Sequence, residues 1–467
     1  GGTRGNRGEP GNGGSRWGSY GTAGSAGDSS IAFTAVGAGY IGAASGGSST
    51  ADINFINDSM ELGSLSIESS GALTVKPNND ATTIGLGGGS GTLQLAQSAF
   101  WNGAAGNFKN GFSGITIGSA TQSGAFAVNG LTLFDALTLQ TSGAVSVNGT
   151  VATNDNNLSI AGSSYTQSGD FDIVAGSGDI SIAADSLVFA ANTDNNPLQT
   201  SGSLTLKPLS AATTMSFSGA STFDLDATKV GYLQNSGASS VTIGGGDSKG
   251  AMTLYTSLDF SGKSLSLLAG SISDVNTTNR TITAAALNLT ANAGDIGGAD
   301  SNNAIDFLAP AVSAHATGSA YLKSAAATGY VLGASNVGGT LSLAASGNVT
   351  QSGAITAGTL AASLPTWKTT QLNLGTHANA VSALGDIRLG GSFNLTNGNA
   401  PVTVTGTVNT YDDSMSARGA VSIDAGAGTF GVAAGGRVIS GDVAIIADNM
   451  DINGTGTPGH TAISAWN

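Results

Sequence analysis

The feature that most constrains the fold of this chain is a pattern of apolar, polar and apolar residues that recurs along most of its length. In an extended strand, alternate side chains point to opposite faces, so each triplet places two apolar side chains on one face and a polar side chain on the other. The triplets are Leu65-Ser66-Ile67, Leu73-Thr74-Val75, Leu93-Gln94-Leu95, Ile115-Thr116-Ile117, Leu137-Thr138-Leu139, Val145-Ser146-Val147, Leu158-Ser159-Ile160, Phe171-Asp172-Ile173, Leu204-Thr205-Leu206, Phe223-Asp224-Leu225, Val241-Thr242-Ile243, Leu265-Ser266-Leu267, Leu341-Ser342-Leu343, Phe393-Asn394-Leu395, Val402-Thr403-Val404, Val421-Ser422-Ile423 and Met450-Asp451-Ile452.

The spacing of these triplets favours a coil of stacked strands. They follow one another at about 8 to 20 residues, with turn-forming Gly, Ser, Asn and Asp residues between them. One triplet alone cannot bury its apolar pair, but stacked coils pair every strand with its neighbours and align the apolar side chains into one core. Because neighbouring strands lie about 4.8 Å apart, about twenty coils would form a rod on the order of 100 Å long. The pattern therefore predicts an all-β solenoid.

Composition agrees with a repetitive fold. A chain of 467 residues is too long for one compact core. Its 73 Gly residues and 9% charged residues lie far from average usage. Its 40% hydrophobic content argues against a disordered chain.

The net charge of −14 disfavours two classes of partner. A nucleic-acid-binding protein concentrates Lys and Arg on one face, and the 15 basic residues of this chain form no run. The same acidity disfavours attraction to an anionic membrane surface. No stretch approaches the roughly 20 apolar residues that span a bilayer. We expect no nucleic-acid partner and no membrane-spanning segment.

Three regions are distinguished along the chain. Residues 1–30 form a Gly-rich segment with almost no aliphatic residues. Residues 31–270 are expected to form a β-helix that contains a duplicated multi-coil block, at about 65–139 and 198–267. Residues 271–467 are expected to continue the β-helix.

The duplication rests on a long-range repeat. Leu73-Thr74-Val75-Lys76-Pro77, followed by Ala81-Thr82-Thr83, returns 131 residues later as Leu204-Thr205-Leu206-Lys207-Pro208, followed by Ala212-Thr213-Thr214. At a different offset, Ile115-Thr116-Ile117-Gly118 is echoed by Val241-Thr242-Ile243-Gly244. Thr-Gln-Ser-Gly occurs at 121, 166 and 350, and Leu-Gln-Thr-Ser-Gly at 139 and 198.

The ends of the chain and its lack of Cys bear on its origin. It begins Gly1-Gly2-Thr3, without Met or a signal peptide, so we expect a processed protein or a piece of a longer one. No capping sequence is visible at Trp466-Asn467, which suggests a fragment or a stacking surface. Cys is absent. That absence suits a chain threaded unfolded across an outer membrane, and the alternative is chance in a chain rich in Gly, Ala and Ser.

Several stretches resemble the large filamentous-haemagglutinin-type exoproteins of Gram-negative bacteria. They are 349–360 (VTQSGAITAGTL), 380–386 (AVSALGD), 391–395 (GSFNL), 402–408 (VTVTGTV) and 114–118 (GITIG). The resemblance covers roughly residues 60 to 460, as degenerate repeats. It implies a right-handed parallel β-helix, secretion, and adhesive or filament-forming roles. The Asn-Pro-Asn-Leu and Asn-Pro-Asn-Gly-Ile motifs of the two-partner secretion domain do not occur, so the secretion route stays open.

An enzyme of the β-helix fold is the main alternative. Such polysaccharide-acting enzymes need clustered carboxylates for acid and base chemistry. Pieces of one glycosidase pattern exist as Asn192-Thr193-Asp194, Asp412-Asp413 and Gly459-His460, but their spacing would place them several coils apart. The histidines His315, His377 and His460 are isolated, with no partner at metal-binding spacing.

The acidic turn sequences have two interpretations, solvated turns and calcium sites. Gly244-Gly245-Gly246-Asp247 and Gly297-Gly298-Ala299-Asp300 look superficially like calcium-binding repeats, but neither recurs in tandem. Asp170, Asp172 and Asp179 would share a side of neighbouring turns. We expect solubilising turns, with bound Ca²⁺ as the alternative, and assign no catalytic, cofactor-binding or metal-binding residue.

Aromatic residues and glycosylation sequons give no firm site. Trp101, Trp367, Tyr165 and Tyr255 would serve as sugar-stacking platforms or as corner and core residues, and the second role is preferred. Asn-x-Ser/Thr sequons, including Asn148, Asn276, Asn279 and Asn453, are expected from composition alone.

The sequence thus favours an extracellular structural or adhesive protein that is not an enzyme. We expect it at the bacterial cell surface, presenting Thr, Ser and Asn ladders to a host or matrix glycan, another cell or an identical chain. The alternatives are a polysaccharide-degrading β-helix enzyme and an end-to-end filament or surface-layer subunit.

Overall fold

The computed structural model describes residues 30–32, 40–42, 49–100, 106–275, 280–365, 369–412, 417–453 and 462–465. Strands make up 52% of the described residues and helices 3%, and parallel coils stack into a β-solenoid of about 18 turns. The prediction of an all-β solenoid of about twenty coils is confirmed, while its right-handed sense stays a prediction. The Gly-rich segment 1–30 lies outside the described residues, except for Ser30.

The chain divides into two compact units, and each is described by itself. Unit 1 comprises residues 1–210 and 231–239, and unit 2 comprises residues 211–230 and 240–467. An α-helix, α1 (Ala227–Asn235), begins in the residues of unit 2 and ends in those of unit 1.

The described strands of unit 1 are short. They are β1 (Ser30–Ala32), β2 (Tyr40–Gly42), β3 (Ile53–Ile56), β4 (Ser59–Glu61), β5 (Ser66–Glu68), β6 (Ala72–Lys76), β7 (Ile84–Leu86), β8 (Leu93–Leu95), β9 (Gly114–Gly118), β10 (Phe126–Val128), β11 (Leu131–Thr132), β12 (Leu137–Gln140), β13 (Ala144–Val147), β14 (Val151–Ala152), β15 (Leu158–Ala161), β16 (Ser164–Gln167), β17 (Ile173–Gly176), β18 (Ile180–Ala183), β19 (Ser186–Phe189), β20 (Leu198–Thr200) and β21 (Ser203–Lys207). A 3-10 helix spans Gln97–Phe100.

Unit 2 contains the remaining described strands, several of which are much longer. They are β22 (Met215–Phe217), β23 (Phe223–Leu225), β24 (Ser240–Gly244), β25 (Ala251–Leu254), β26 (Leu258–Ala269), β27 (Ser271–Asp274), β28 (Thr281–Ala291), β29 (Ile305–Leu308), β30 (Ala311–Ala316), β31 (Ala320–Ser324), β32 (Tyr330–Leu332), β33 (Ser335–Ala344), β34 (Val349–Gln351), β35 (Ile355–Ser363), β36 (Leu372–Leu374), β37 (Ala380–Arg388), β38 (Phe393–Thr396), β39 (Val402–Val404), β40 (Thr407–Asn409), β41 (Tyr411–Asp412), β42 (Ala417–Arg418), β43 (Ala420–Asp424), β44 (Thr429–Val432), β45 (Arg437–Ser440), β46 (Asp442–Ile446), β47 (Asn449–Ile452) and β48 (Ile463–Ala465).

Strands of successive coils pair in parallel and form stacks. In unit 1 the first stack runs β3-β6-β9-β12-β15-β18-β21. A second stack runs β7-β10-β13-β16-β19, and a third runs β11-β14-β17-β20. In unit 2 one stack runs β24-β26-β28-β30-β32-β34-β36-β38-β43-β46. The parallel register is therefore what converts scattered triplets into continuous sheets.

The apolar positions of the triplets form the core, as the alternating pattern requires. In the first stack of unit 1, one column of aligned and almost completely buried side chains consists of Leu73, Ile115, Leu137, Leu158, Ile180 and Leu204. Removing such surface from water contributes about 25 cal/mol per Å². Since each coil buries the apolar face of the next, the core extends with the number of coils.

Two triplets do not follow this pattern. Phe171 lies before β17 and is only half-buried, because the strand begins at Ile173. Met450 and Ile452 lie in β47 as expected, but their side chains are 54% and 48% exposed. The expectation of two inward-facing apolar side chains was wrong for these two triplets. The triplet alone does not determine at which residue the strand begins or how the surrounding coils pack against it.

The repeated Thr-Ser-Gly element forms a corner that ties one coil to the preceding one. Thr141 Oγ1 donates to the carbonyl oxygens of Gln122 (2.9 Å) and Gly124 (2.8 Å) and accepts a hydrogen bond from the N–H of Gly143 (2.9 Å). Ser142 Oγ donates to the same Gln122 carbonyl oxygen. Equivalent corners form at Ser69-Ser70-Gly71 and Thr200-Ser201-Gly202. The motif is a structural corner, in which side-chain hydroxyls add to the backbone hydrogen bonds that already join one coil to the next.

The echo of Gly118 in Gly244 has a conformational cause. Both residues end a strand, β9 and β24, with positive φ angles of 85° and 88°. A Cβ atom at Gly118 would overlap the carbonyl oxygen of Gln140, and one at Gly244 would overlap that of Leu268. Only glycine fits, because it adopts positive φ without steric cost and lets the next coil approach closely.

Helix α1 interrupts the β pattern and was not foreseen from helical periodicity. Its N-terminus is capped by Asp226, whose carboxylate accepts a hydrogen bond from the N–H of Lys229 (2.9 Å) and an ion pair from the Lys229 ammonium (2.7 Å). Within unit 1, Tyr232 packs edge-on against Phe189 of β19. The Asp226 cap was the available sequence signal. Within the described ranges, no helix has the length and hydropathy needed to cross a membrane.

Candidate functional site

The first stack of unit 1 presents a row of hydroxyl groups to solvent. The central residue of each triplet faces outward, and the parallel register aligns six of them on consecutive strands. These residues, called the hydroxyl ladder from here on, are Thr74, Thr116, Thr138, Ser159, Ser181 and Thr205. All six are half-buried, because the neighbouring rungs cover part of each side chain.

The hydroxyl groups of the ladder are open to a ligand. None of the six is hydrogen-bonded to another group within the described part of the chain. Adjacent strands lie about 4.8 Å apart, and no hydrogen bond joins one ladder hydroxyl to the next within the described residues. Each rung can therefore donate one hydrogen bond and accept others from outside the protein.

A shallow groove of about 490 Å³ runs over this face. Its floor includes five of the six ladder residues, from Thr116 to Thr205, and one of its rims is formed by Ser113, Asn157, Asp179 and Ser203. The lining combines these hydroxyl, amide and carboxylate groups, of which one is charged, with apolar surface from residues such as Ile115, Leu137 and Leu158. Such a surface can recognise a ligand by hydrogen bonds together with apolar contacts.

The rim is held in place by hydrogen bonds that run from one coil to the next. Asn157 Oδ1 accepts a hydrogen bond from the N–H of Asp179 (2.8 Å), and Asp179 Oδ1 accepts one from the N–H of Ser203 (2.7 Å). The Ser203 backbone and side-chain groups lower the pKa of Asp179. The carboxylate is therefore ionised at neutral pH and fixed at the rim.

Beside the hydroxyl ladder, each strand of the stack carries one further aligned residue, and the strands at the two ends carry lysines. The residues directly after the triplets are aligned in register. They are Gly118, Gln140, Ala161, Ala183 and Lys207. Lys76 occupies the same position in β6. The Lys-Pro repeat seen in the sequence therefore supplies a cation at each end of the ladder.

The acidic residues weighed for calcium act mainly as ties between coils. Asp170 accepts hydrogen bonds from the backbone N–H of Thr193 (2.8 Å) and from its hydroxyl (2.5 Å), and these bonds lower the pKa of Asp170. Burial raises the pKa of Asp172, and the nearby Asp194 and Asp170 carboxylates raise it further. Asp179 instead belongs to the ladder rim. Among the described residues, no group of three or more His, Asp or Glu side chains is arranged to hold a metal ion. Calcium binding stays untested.

The glycine-rich sequences with a terminal Asp form ordinary turns. The Gly245 N–H donates to Ser248 Oγ (3.0 Å) beside Asp247, and the Asn302 N–H donates to the Asp300 carboxylate (3.1 Å). Neither contact leaves a cage of oxygen atoms around a central position. Turn formation therefore explains the Gly and Asp residues of these two sequences.

Two described residues of the glycosidase pattern are hydrogen-bonded to the preceding coil. Asn192 Nδ2 donates to Asp172 (3.1 Å), and Thr193 contacts Asp170. His315 is exposed in β30, and His377 Nδ1 lies 3.1 Å from Thr376 Oγ1. Asp413, Gly459 and His460 lie outside the described residues, as do Trp101, Trp367, Asn276 and Asn279.

The two tyrosines weighed as sugar platforms have different environments. Tyr165 is completely buried, its hydroxyl donates to Gln167 Oε1 (2.8 Å), and burial raises the pKa of its phenol. The core interpretation is confirmed for Tyr165. Tyr255 is 47% exposed, lies in unit 2 and is not among the residues that line the groove.

Two ion pairs in unit 2, each with a buried carboxylate, were not predicted from the sequence. The Arg280 guanidinium lies 2.7 Å from Asp274, and the Lys323 ammonium lies 3.1 Å from Asp306. The side chains of Asp274 and Asp306 are 1% and 4% exposed, and the second oxygen of Asp274 has no hydrogen-bond partner among the described residues. The signal was an Asp at an inward position, two residues after the buried Ile272. Each carboxylate is already neutralised by its cation, which indicates a structural role.

Comparison of the chain with protein-family models, curated proteins and solved structures finds no match. The likeness to filamentous-haemagglutinin-type exoproteins therefore rests on the sequence elements and on the solenoid fold.

Proposed function

We propose that this chain is an extracellular structural or adhesive β-solenoid, displayed at the surface of a bacterial cell, where its stacked coils form a contact surface. The observation that carries the proposal is the hydroxyl ladder, a row of six aligned groups whose hydrogen-bonding capacity is not used within the described chain. A purely internal scaffold would not require such a row.

Catalysis is not part of this proposal. The carboxylates of Asp274 and Asp170 are engaged within the chain, the first by the Arg280 ion pair and the second by coil-to-coil hydrogen bonds. A polysaccharide-degrading enzyme would need carboxylates free to exchange protons with a substrate. Bond cleavage in an acidic or neutral polysaccharide by the purified chain would contradict the proposal.

The first test is the location of the protein in the cells that make it. Antibodies raised against the folded chain are expected to label intact, unpermeabilised cells as strongly as lysed ones. A cytoplasmic enzyme analysed in parallel should be labelled only after lysis. Labelling of the solenoid that also requires lysis would overturn the extracellular assignment.

Electron microscopy of the released material separates the structural alternatives. Single elongated particles are expected for an adhesive solenoid that projects from the surface. Long fibres would favour the filament alternative, and a regular lattice would favour a surface-layer subunit. Both outcomes would contradict projection as separate particles while preserving an extracellular role.

A further inference from the structure

We propose that the groove over the hydroxyl ladder binds a single extended chain of a neutral, β-1,4-linked polysaccharide, which lies parallel to the stacking direction of the coils. This inference rests on the proposed function, since it names the ligand class of the contact surface.

The spacing of the rungs matches a linear polymer. Six strands at about 4.8 Å give a ladder about 24 Å long. A fully extended β-1,4-linked glycan advances by slightly more than one strand spacing for each sugar. Four or five consecutive sugars can therefore each meet a rung before the small mismatch accumulates.

The chemistry of the lining favours sugar hydroxyls. Thr116, Thr138 and Ser159 offer hydroxyl groups with no partner in the described chain, and Asn157 and Asp179 stand on the rim beside them. A sugar hydroxyl both donates and accepts hydrogen bonds, so it complements a row that also does both. The rungs differ little from one another, which suits a repeating ligand.

Charge selects a neutral polysaccharide over an acidic one. The one ionised group of the groove lining is the Asp179 carboxylate, and the whole chain carries a net charge of −14. An acidic polysaccharide would be repelled by both. Lys76 and Lys207 stand at the two ends of the ladder and leave its middle without a cation.

A second copy of the chain is a poorer occupant of the same face. Six strands at about 4.8 Å and five residues at about 3.3 Å each give a face of about 400 Å². Stable protein interfaces need about 800 Å² from each partner. Two identical acidic chains also repel each other.

The test uses the purified full chain and soluble oligosaccharides of two to six sugars from cellulose and chitin, with polygalacturonate as the acidic comparison. Isothermal titration calorimetry is expected to show affinity that rises with length and levels off at about five sugars, and no binding of polygalacturonate. The double variant Thr116→Val/Thr138→Val keeps the side-chain shape and removes two hydroxyls, so binding should weaken about tenfold.

The matched control is Thr132→Val/Thr166→Val, which removes two outward hydroxyls from β11 and β16 in the other stacks of unit 1. It should bind as the unchanged protein does. Circular dichroism of both variants must show the same strand content, so that a lost affinity is not a lost fold.

Three results would overturn the inference: no binding at any length, equal weakening in the control, or tighter binding of polygalacturonate. Dimerisation that disappears in the ladder variant would instead assign the face to a second copy. Failure here would leave the surface-labelling result unaffected, so the ligand class and the cellular location are tested separately.

Discussion

Units 1 and 2 each carry an outward polar ladder, and the two ladders differ in how their hydrogen bonds are used. In unit 1 the rungs are hydroxyls without a partner in the described chain. In unit 2 the aligned residues Thr242, Ser266, Asn288 and Ser313 occupy the equivalent positions. There, Asn288 donates to Ser266 (3.3 Å) and accepts from Ser313 (2.7 Å).

The difference is one of side-chain reach. An amide group is long enough to bond rungs on both neighbouring strands across the spacing of about 4.8 Å, and it both donates and accepts. A Thr or Ser hydroxyl is shorter: the bond between Ser273 and Thr253 on adjacent strands of unit 2 is long, at 3.5 Å, and the ladder hydroxyls of unit 1 form none within the described chain. Parallel register thus creates a ladder in both units, but the type of rung decides whether the ladder is available to a ligand or closed on itself.

The same contrast extends to a buried ion pair of unit 2 and a cation of unit 1. Removing the partner of a buried charge has the largest expected effect on the free energy of unfolding. Arg280→Ala in unit 2 would leave the Asp274 carboxylate buried without its cation, at a cost of about 3–5 kcal/mol. Lys207→Ala in unit 1 removes a cation that has no ion pair among the described residues, and the expected change is within about 0.5 kcal/mol. Urea denaturation followed by circular dichroism measures both.

Equal stability of the two variants would break this comparison, because it would mean that Asp274 finds water or another donor once Arg280 is removed. Arg388→Ala serves as a second control, since Arg388 is exposed in β37 of the same unit as Arg280. A loss of stability there would indicate a general effect of losing positive charge from an acidic chain.

The two units should behave alike at their repeated glycines. Gly118→Ala and Gly244→Ala each place a Cβ atom against a carbonyl oxygen of the next coil at a positive φ, so each should cost more than about 1 kcal/mol. Gly246→Ala is the control, because a Cβ atom there meets nothing within 4 Å. Thermal unfolding midpoints provide the measurement, and a cost at only one of the two glycines would count against an equivalent turn in the two blocks.

The sequence predicts those structural features that depend only on residues close together in the chain. The triplets predict the strands and the inward direction of residues such as Leu73 and Leu204, because the alternation of side-chain direction is a property of a single strand. The turn at Gly118 is marked by glycine for the same reason. The register between coils is not local. Steps of 21 residues from Leu137 to Leu158 and 24 from Ile180 to Leu204 align the same column.

The site is less predictable than the fold for that reason. Which hydroxyls form one row, and whether an amide such as Asn288 closes it, depends on the coil lengths on either side. The ion pair of Asp274 and Arg280 joins the last residue of β27 to the residue directly before β28. Its sequence signal is an acidic residue at an apolar position, which indicates burial but not the partner.

The smallest expected effect is a difference in pH dependence between the ladder rim and the buried pair. The pKa of Asp179 is lowered by the Ser203 backbone and side chain, so its charge stabilises the fold above its ordinary value of 3.8, and this contribution is lost as the pH falls through the lowered pKa. The pKa of Asp306 is raised, chiefly by burial. Its contribution therefore has the opposite sign: folding is favoured most below 3.8, and that advantage is lost as the pH rises through the raised pKa.

Two variants measure these signs by urea denaturation between pH 3 and pH 7. Asp179→Asn should lose stability relative to the unchanged chain mainly at the upper end of this range, by less than about 1 kcal/mol because the carboxylate is largely solvated. Asp306→Asn removes the buried charge. Relative to the unchanged chain, this variant should lose the least stability, or gain stability, at the upper end of the pH range, and it should become less stable than the unchanged chain as the pH decreases. The Lys323 side chain is 31% exposed and can turn to water, which limits the cost of losing its partner. Parallel pH profiles for the two variants would show that the rim carboxylate and the buried carboxylate experience the same environment, which would remove the distinction between an open and a closed polar surface.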